Sequence, residues 1–225
     1  MKQPSQLSSR RAFIGTLAAA GATGILANAN PLAAASLSAA EDAKDAEAWL
    51  NKIKGKHRIL YDAPEPHDGF PIIWSWVFYK TNNATGSADA DLTAVVVLRH
   101  NAIPLAMEDR LWEKYKFGET FKINDSITSA PATRNVYYTP TDQMWVNNGI
   151  QGIKELQSRG VLFCVCDMAL TVYSGMVAKG MNLKPEDVKK DWLSGLLPGI
   201  QPVPSGVWAI GRAQEKGCSY CYAGG

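Results

Sequence analysis

The sequence predicts an α/β fold: a single parallel sheet of about five strands with helices on both faces. Three observations predict it. Short apolar runs alternate with helical patterns from Arg58 to Tyr222. Two of those runs, Leu92–Leu98 and Val161–Cys166, are continuous rather than alternating, as expected for strands covered on both faces. Finally, the roughly 190 residues that follow an N-terminal leader are enough for one domain with a full core.

The leader comes first. Ser9-Arg10-Arg11-Ala12-Phe13-Ile14 resembles the twin-arginine export motif, and no charge follows until Glu41. The stretch between is rich in Ala and Gly and only weakly apolar, which suits export of a folded protein better than a permanent anchor. Small-residue cleavage patterns occur at Ala27-Asn28-Ala29 and Ala33-Ala34-Ala35. Residues 1–35 are therefore expected to be a signal peptide, and the remainder to be periplasmic with no stable membrane anchor after cleavage. Removing Lys2, Arg10 and Arg11 from the 23 basic residues leaves 20 against 21 acidic ones, so no net positive charge points to nucleic acid.

Residues 36–56 read as a helical arm. Ser38-Ala39-Ala40-Glu41 is a capping box, and Ala43, Ala46, Leu50 and Ile53 form one face, with Gly55 as the stop. The domain proper is expected over 57–225. Its strands are Arg58–Asp62, Leu92–Leu98, Val161–Cys166, a weaker run at Ile200–Val203, and Cys218–Tyr222. Pro71 suits the first turn of a helix carrying Ile72, Ile73, Trp76, Val77 and Tyr79. Leu111, Trp112 and Tyr115 stripe a helix ended by Gly118. Ile150, Ile153 and Leu156 stripe another, ended by Gly160. A further helix runs from Met168 to Val177 and ends near Gly180. Ser205 caps the last helix, Gly206 to Lys216, with Gly217 at its end. One stretch breaks this rhythm: 119–148, rich in Thr, Ser and Asn with Tyr137, Tyr138 and Trp145, reads as an inserted lid, binding loop or oligomer contact.

In an open parallel sheet, ligands bind beyond the carboxyl ends of the strands. His67 follows the first strand, Arg99-His100-Asn101 the second, Cys166 ends the third, and Ser205-Gly206 follow the fourth. Cys166 lies where a strand gives way to a helix, so unpaired N–H groups and the helix dipole are available to a thiolate. Asp167 opposes this by repulsion. Cys164, two residues deeper on the same strand face, reads as a small core residue. His67 and His100 are candidates to move a proton or, with Cys166, to hold a metal. Arg99, with Asn101, Ser205 and Gly206, is a candidate to hold an anionic ligand. His57 falls at the opposite edge. Cys218 and Cys221 are three apart in an expected strand, about 10 Å between Cα atoms, beyond disulfide reach.

Gly160–Cys166, then Leu193–Ile200 (LSGLLPGI), then Val203-Pro204-Ser205-Gly206-Val207, then Gln214-Glu215-Lys216-Gly217 and a final Tyr-containing strand resemble, in this order, the DsrE/DsrF-like family. The resemblance covers most of the chain from Arg58 onward and is strongest from Gly160 to Tyr222. It implies a compact α/β domain with flavodoxin-like layering that forms homo-oligomers, trimers or hexamers. It also implies sulfur acceptance as a persulfide on the cysteine after the third strand, here Cys166. A small sulfur-containing molecule or a partner protein is then the expected partner, and a sulfurtransferase-like carrier the expected activity. The chain departs from the family in its leader, in the length of 119–148, and in Cys218 and Cys221. A non-catalytic protein of the same fold, binding a small ligand or metal, is the alternative. Thiol–disulfide exchange is a third, which requires two cysteines within bridging distance. No cofactor is specified by any motif.

Overall fold

The computed structural model describes residues 43–224. The twin-arginine leader and the Ser38–Glu41 capping box lie outside the described residues. The sheet has five strands, all parallel: β1 (His57–Ala63), β2 (Leu92–Leu98), β3 (Leu162–Cys166), β4 (Gln201–Val203) and β5 (Ser219–Tyr222), in the order β4-β3-β2-β1-β5. The expected α/β class and strand count are those of the molecule.

The continuous apolar runs have the predicted cause. Every residue of β2 is buried. Ala94, Val96 and Leu98 join Phe163 and Val165 of β3 in one core, while Val95 and Val97 join Cys164 in the other. Because side chains alternate between faces, a strand covered on both sides needs apolar residues at every position.

The helices are α1 (Phe70–Ala84), α2 (Asp109–Lys114), α3 (Phe117–Phe121), α4 (Gln143–Asn148), α5 (Ile153–Arg159), α6 (Asp167–Met181), α7 (Pro185–Ser194) and α8 (Gly206–Glu215). Residues of α1, α2, α5, α6 and α7 fill the larger core, including Tyr79, Trp112 and Trp192. The opposite face is covered by α8 and by a helical segment at 43–50, which buries Ala46, Trp49 and Leu50 on Leu60, Val95 and Val97. Strand order explains this division. From β1 to β4 the chain moves one way across the sheet, and from β4 to β5 it moves back. A right-handed crossover travelling in reverse places its helix on the other face.

Several boundaries differ from those expected. Gly118 does not end a helix: Lys116, in the left-handed region at φ 50°, breaks the chain between α2 and α3. Gly118 instead sits inside α3, where a Cβ would come within 2.3 Å of the Ala132 backbone. The helix expected to end near Gly180 is α6, which closes one residue later at Met181, with Asn182 at φ 56° as the left-handed terminator. Ile150 precedes α5, and Cys218 precedes β5. The insertion is a packed part of the domain. Ile123, Ala132, Tyr137 and Trp145 are buried in the larger core, and Asn135 donates to the carbonyls of Leu105 and Met107 at 3.0 and 2.9 Å.

Candidate functional site

Parallel pairing brings the carboxyl ends of β1, β2 and β3 level: Ala63 pairs with Leu98, and Leu98 with Val165. One residue further on, Arg99 follows β2 and Cys166 ends the neighbouring β3.

Cys166 is the N-cap of α6. Its Sγ accepts the Ala169 N–H at 3.3 Å, so the sulfur takes the place of the oxygen of a Ser or Asp cap. Helix N-terminal N–H groups and the dipole favour a negative charge there. Asp167, whose charge would oppose this, is bound by Lys189 of α7 at 2.8 Å. Cys166 retains 7% exposure. Cys164 is fully buried, and burial pushes its thiol up, followed by the effect of Cys166. Burial also raises the Cys218 thiol, against a smaller opposing effect of Arg58. All four cysteines are free thiols.

Arg99 is held by Asp62, a carboxylate only 4% exposed near the end of β1. The contact is two-pronged: Nε to Oδ1 at 2.6 Å and a terminal nitrogen to Oδ2 at 3.0 Å. Tyr220 of β5 donates its hydroxyl to the same Oδ2 at 2.9 Å. The Asp62 hydrogen bond is the main cause that raises the Arg99 pKa, and the neighbouring Cys166 acts in the same direction. Gly206 packs on the Arg99 stem, where a Cβ would lie 2.7 Å from the Arg99 Cβ. Gly206 therefore makes room for the arginine. Ser205 uses its hydroxyl to cap α8 through the Trp208 N–H at 3.1 Å, which gives it a structural task.

A second polar group forms where β1 and β2 end. His100 Nδ1 lies 3.0 Å from Glu65 Oε1, and a carboxylate acceptor there requires Nδ1 to carry the proton. Asn101 Nδ2 donates to both Glu65 oxygens at 3.0 and 2.9 Å, and Tyr173 of α6 donates to Asn101 Oδ1 at 2.7 Å. Burial, then Glu65, pushes the Tyr173 hydroxyl up to about 12, so it remains a donor at neutral pH. The His100 ring meets Tyr173 edge-on with centroids 5.7 Å apart. His67 is placed elsewhere. Its Nε2 lies 3.0 Å from the Tyr222 hydroxyl of β5, on the far side of β2 from Cys166.

No protein-family model and no curated protein matches this chain. One solved structure similar to it is that of protein MTH1491 of Methanobacterium thermoautotrophicum, a protein of unknown function. The two share 16% identity over 74% of this chain and 98% of the other, with a TM-score of 0.38.

Of the residues singled out in sequence, Arg99 and Cys166 thus fall side by side with Gly206 against the arginine. His100 and Asn101 form a pair around Glu65. Asp62, Glu65, Tyr173, Tyr220 and Lys189 were not among them. Asp62 carried a local signal, a carboxylate directly after the apolar run Ile59–Tyr61. The others depend on partners distant in sequence: Tyr173 lies 72 residues from Asn101, and Tyr220 158 residues from Asp62.

Proposed function

We propose that this chain is an exported DsrE-like protein that takes up sulfane sulfur as a persulfide on Cys166. The observation that carries the reading is the Cys166 sulfur at the N-terminus of α6, accepting a backbone N–H. The adjacent Arg99 and the capture of Asp167 by Lys189 favour the same anionic form.

In the step proposed, the Cys166 thiolate attacks the outer sulfur of a donor such as thiosulfate. A new S–S bond forms at Cys166, the donor's S–S bond breaks, and sulfite leaves with the electron pair. The sulfur stays on the protein as a persulfide anion, so no external oxidant or reductant is needed. In this reading His100, oriented by Glu65 just beyond the end of β2, the strand next to β3, takes the thiol proton. The slight exposure of Cys166 selects a small donor over a bulky one. Self-association into a trimer or hexamer belongs to the same reading. It is supported by the exposed apolar side chains Met168, Met176, Met181 and Leu183 along and just beyond α6.

Intact mass after incubation with thiosulfate or polysulfide tests the reading: a gain of one sulfur, absent in Cys166→Ser. The second reading, a non-catalytic binding protein, is favoured by the low exposure of Cys166. It is the better account if wild type and variant stay unmodified.

A further inference from the structure

Away from the strand-end cysteine, the insertion encloses a cavity of about 210 Å³ together with the turn after β1. That is room for about seven waters at liquid density, the scale of a small metabolite. Its lining includes Asp68, Asp125, Arg134, Tyr137, Asp142 and Trp145. Three carboxylates and one guanidinium thus line it.

The carboxylates are not equivalent. Asp125 is ion-paired with Arg134 at 3.0 Å and accepts the Ile127 N–H at 2.9 Å. Asp142 caps α4 through the Met144 N–H at 2.6 Å and takes the Ser126 hydroxyl. Asp68, exposed and in the left-handed region at φ 50°, has no hydrogen bond or ion pair among the described residues. It is the carboxylate left to a ligand.

The aromatic walls supply the second, independent observation. Tyr137 and Trp145 are each only 5% exposed, with ring centroids 5.9 Å apart and planes inclined at 51°. Among the described residues neither the Tyr137 hydroxyl nor the Trp145 indole N–H has a hydrogen-bond partner. Neither is sealed from solvent, as the partnerless Trp192 Nε1 is. Two donors in largely buried side chains are therefore without a protein partner and reachable by solvent or a ligand, in residues that line this space. Gly69, at φ 90°, presses the Asp68 turn onto these walls: a Cβ there would meet Tyr137 at 2.6 Å and Trp145 at 2.7 Å.

An anion would satisfy the two donors but meet three carboxylates. A bare cation would satisfy Asp68 and the rings but leave the donors unpaired. We propose that this cavity binds a small organic ammonium ion that also carries an oxygen acceptor. The ammonium group lies against Asp68 and the faces of Tyr137 and Trp145, and the oxygen accepts from the hydroxyl or the indole N–H. The proposal does not rest on the sulfur chemistry of Cys166.

Calorimetric titration of the purified chain with choline, with tetramethylammonium and with the uncharged tert-butyl isostere of choline tests it. Choline is expected to bind and its isostere not to. Asp68→Asn, which keeps a residue that tolerates the left-handed turn, should weaken choline about five- to thirtyfold with unchanged melting temperature. Tyr137→Phe or Trp145→Phe should weaken choline more than tetramethylammonium, and Cys166→Ser should leave the choline affinity as it is. Equal binding of choline and its isostere, wild-type affinity in Asp68→Asn, or no binding of either ammonium probe overturns the proposal.

Discussion

Asp62→Ala is the substitution in which the physics of the strand-end edge is most exposed. It removes a nearly buried carboxylate that holds Arg99 by two hydrogen bonds and Tyr220 by a third. Deleting one member of a fully buried ion pair costs about 3–5 kcal/mol, because the other charge is left without compensation. Arg99 is 29% exposed at its side chain, so water recovers part of that loss. A cost of roughly 2–3 kcal/mol follows. Asp62→Asn keeps the shape and one acceptor oxygen and should cost less, about 1–2 kcal/mol. Urea unfolding followed by tryptophan fluorescence and far-ultraviolet circular dichroism measures both. A double-mutant cycle with Arg99→Met isolates the pair. Costs below about 0.5 kcal/mol for both Asp62 variants, the level of an ordinary surface change, would refute the view that this pair organises the edge.

Gly69→Ala should destabilise the chain by about 2–4 kcal/mol in the same unfolding assay, since it combines a left-handed backbone with a clash against Tyr137 and Trp145. For Asp191, burial acts to raise the pKa, but hydrogen bonds from Lys114, Tyr115 and Arg110 outweigh it and hold the carboxyl below its ordinary value. Its stabilising contribution is therefore complete above the unfolded value of about 3.9 and lost as pH falls toward the folded one. Asp191→Asn should cost about 1 kcal/mol at neutral pH and progressively less in acid, read from urea midpoints across that range. Replacing Arg10 and Arg11 with Lys should retain the precursor in the cytoplasm, as fractionation would show; normal export of that variant would remove the twin-arginine reading.

The strands were legible because burial on both faces imposes continuous apolar runs, as in Leu92–Leu98, and the ends of α1 and α8 because Pro71 and Ser205 have few other uses at such positions. The helix α7 is also written locally, in Pro185 with Glu186 and Asp187 in its first turn, but the longer apolar pattern of α6 just before it dominates that stretch. The same holds for α4, capped by Asp142 within a stretch read as loop. Gly118 does not mark a helix end because glycine serves close packing as well as helix ends, and Lys116 takes the left-handed position. At the site, the edge rule located Cys166, Arg99 and His100 but did not say which of them touch. That depended on strand order: β5 beside β1 brings Tyr220 to Asp62 and Tyr222 to His67. No local pattern contains that pairing.

The central claim is that Cys166, rather than any other thiol of the chain, accepts sulfur. The direct measurement is peptide mapping. The protein is loaded with thiosulfate or polysulfide, persulfides are capped with an alkylating reagent under native conditions, and each of the four cysteines is read by tandem mass spectrometry. The account predicts the extra sulfur on the Cys166 peptide, with Cys164 unmodified because it is fully buried and its thiol is pushed up. Sulfur on Cys221 alone, or on no cysteine, would contradict it.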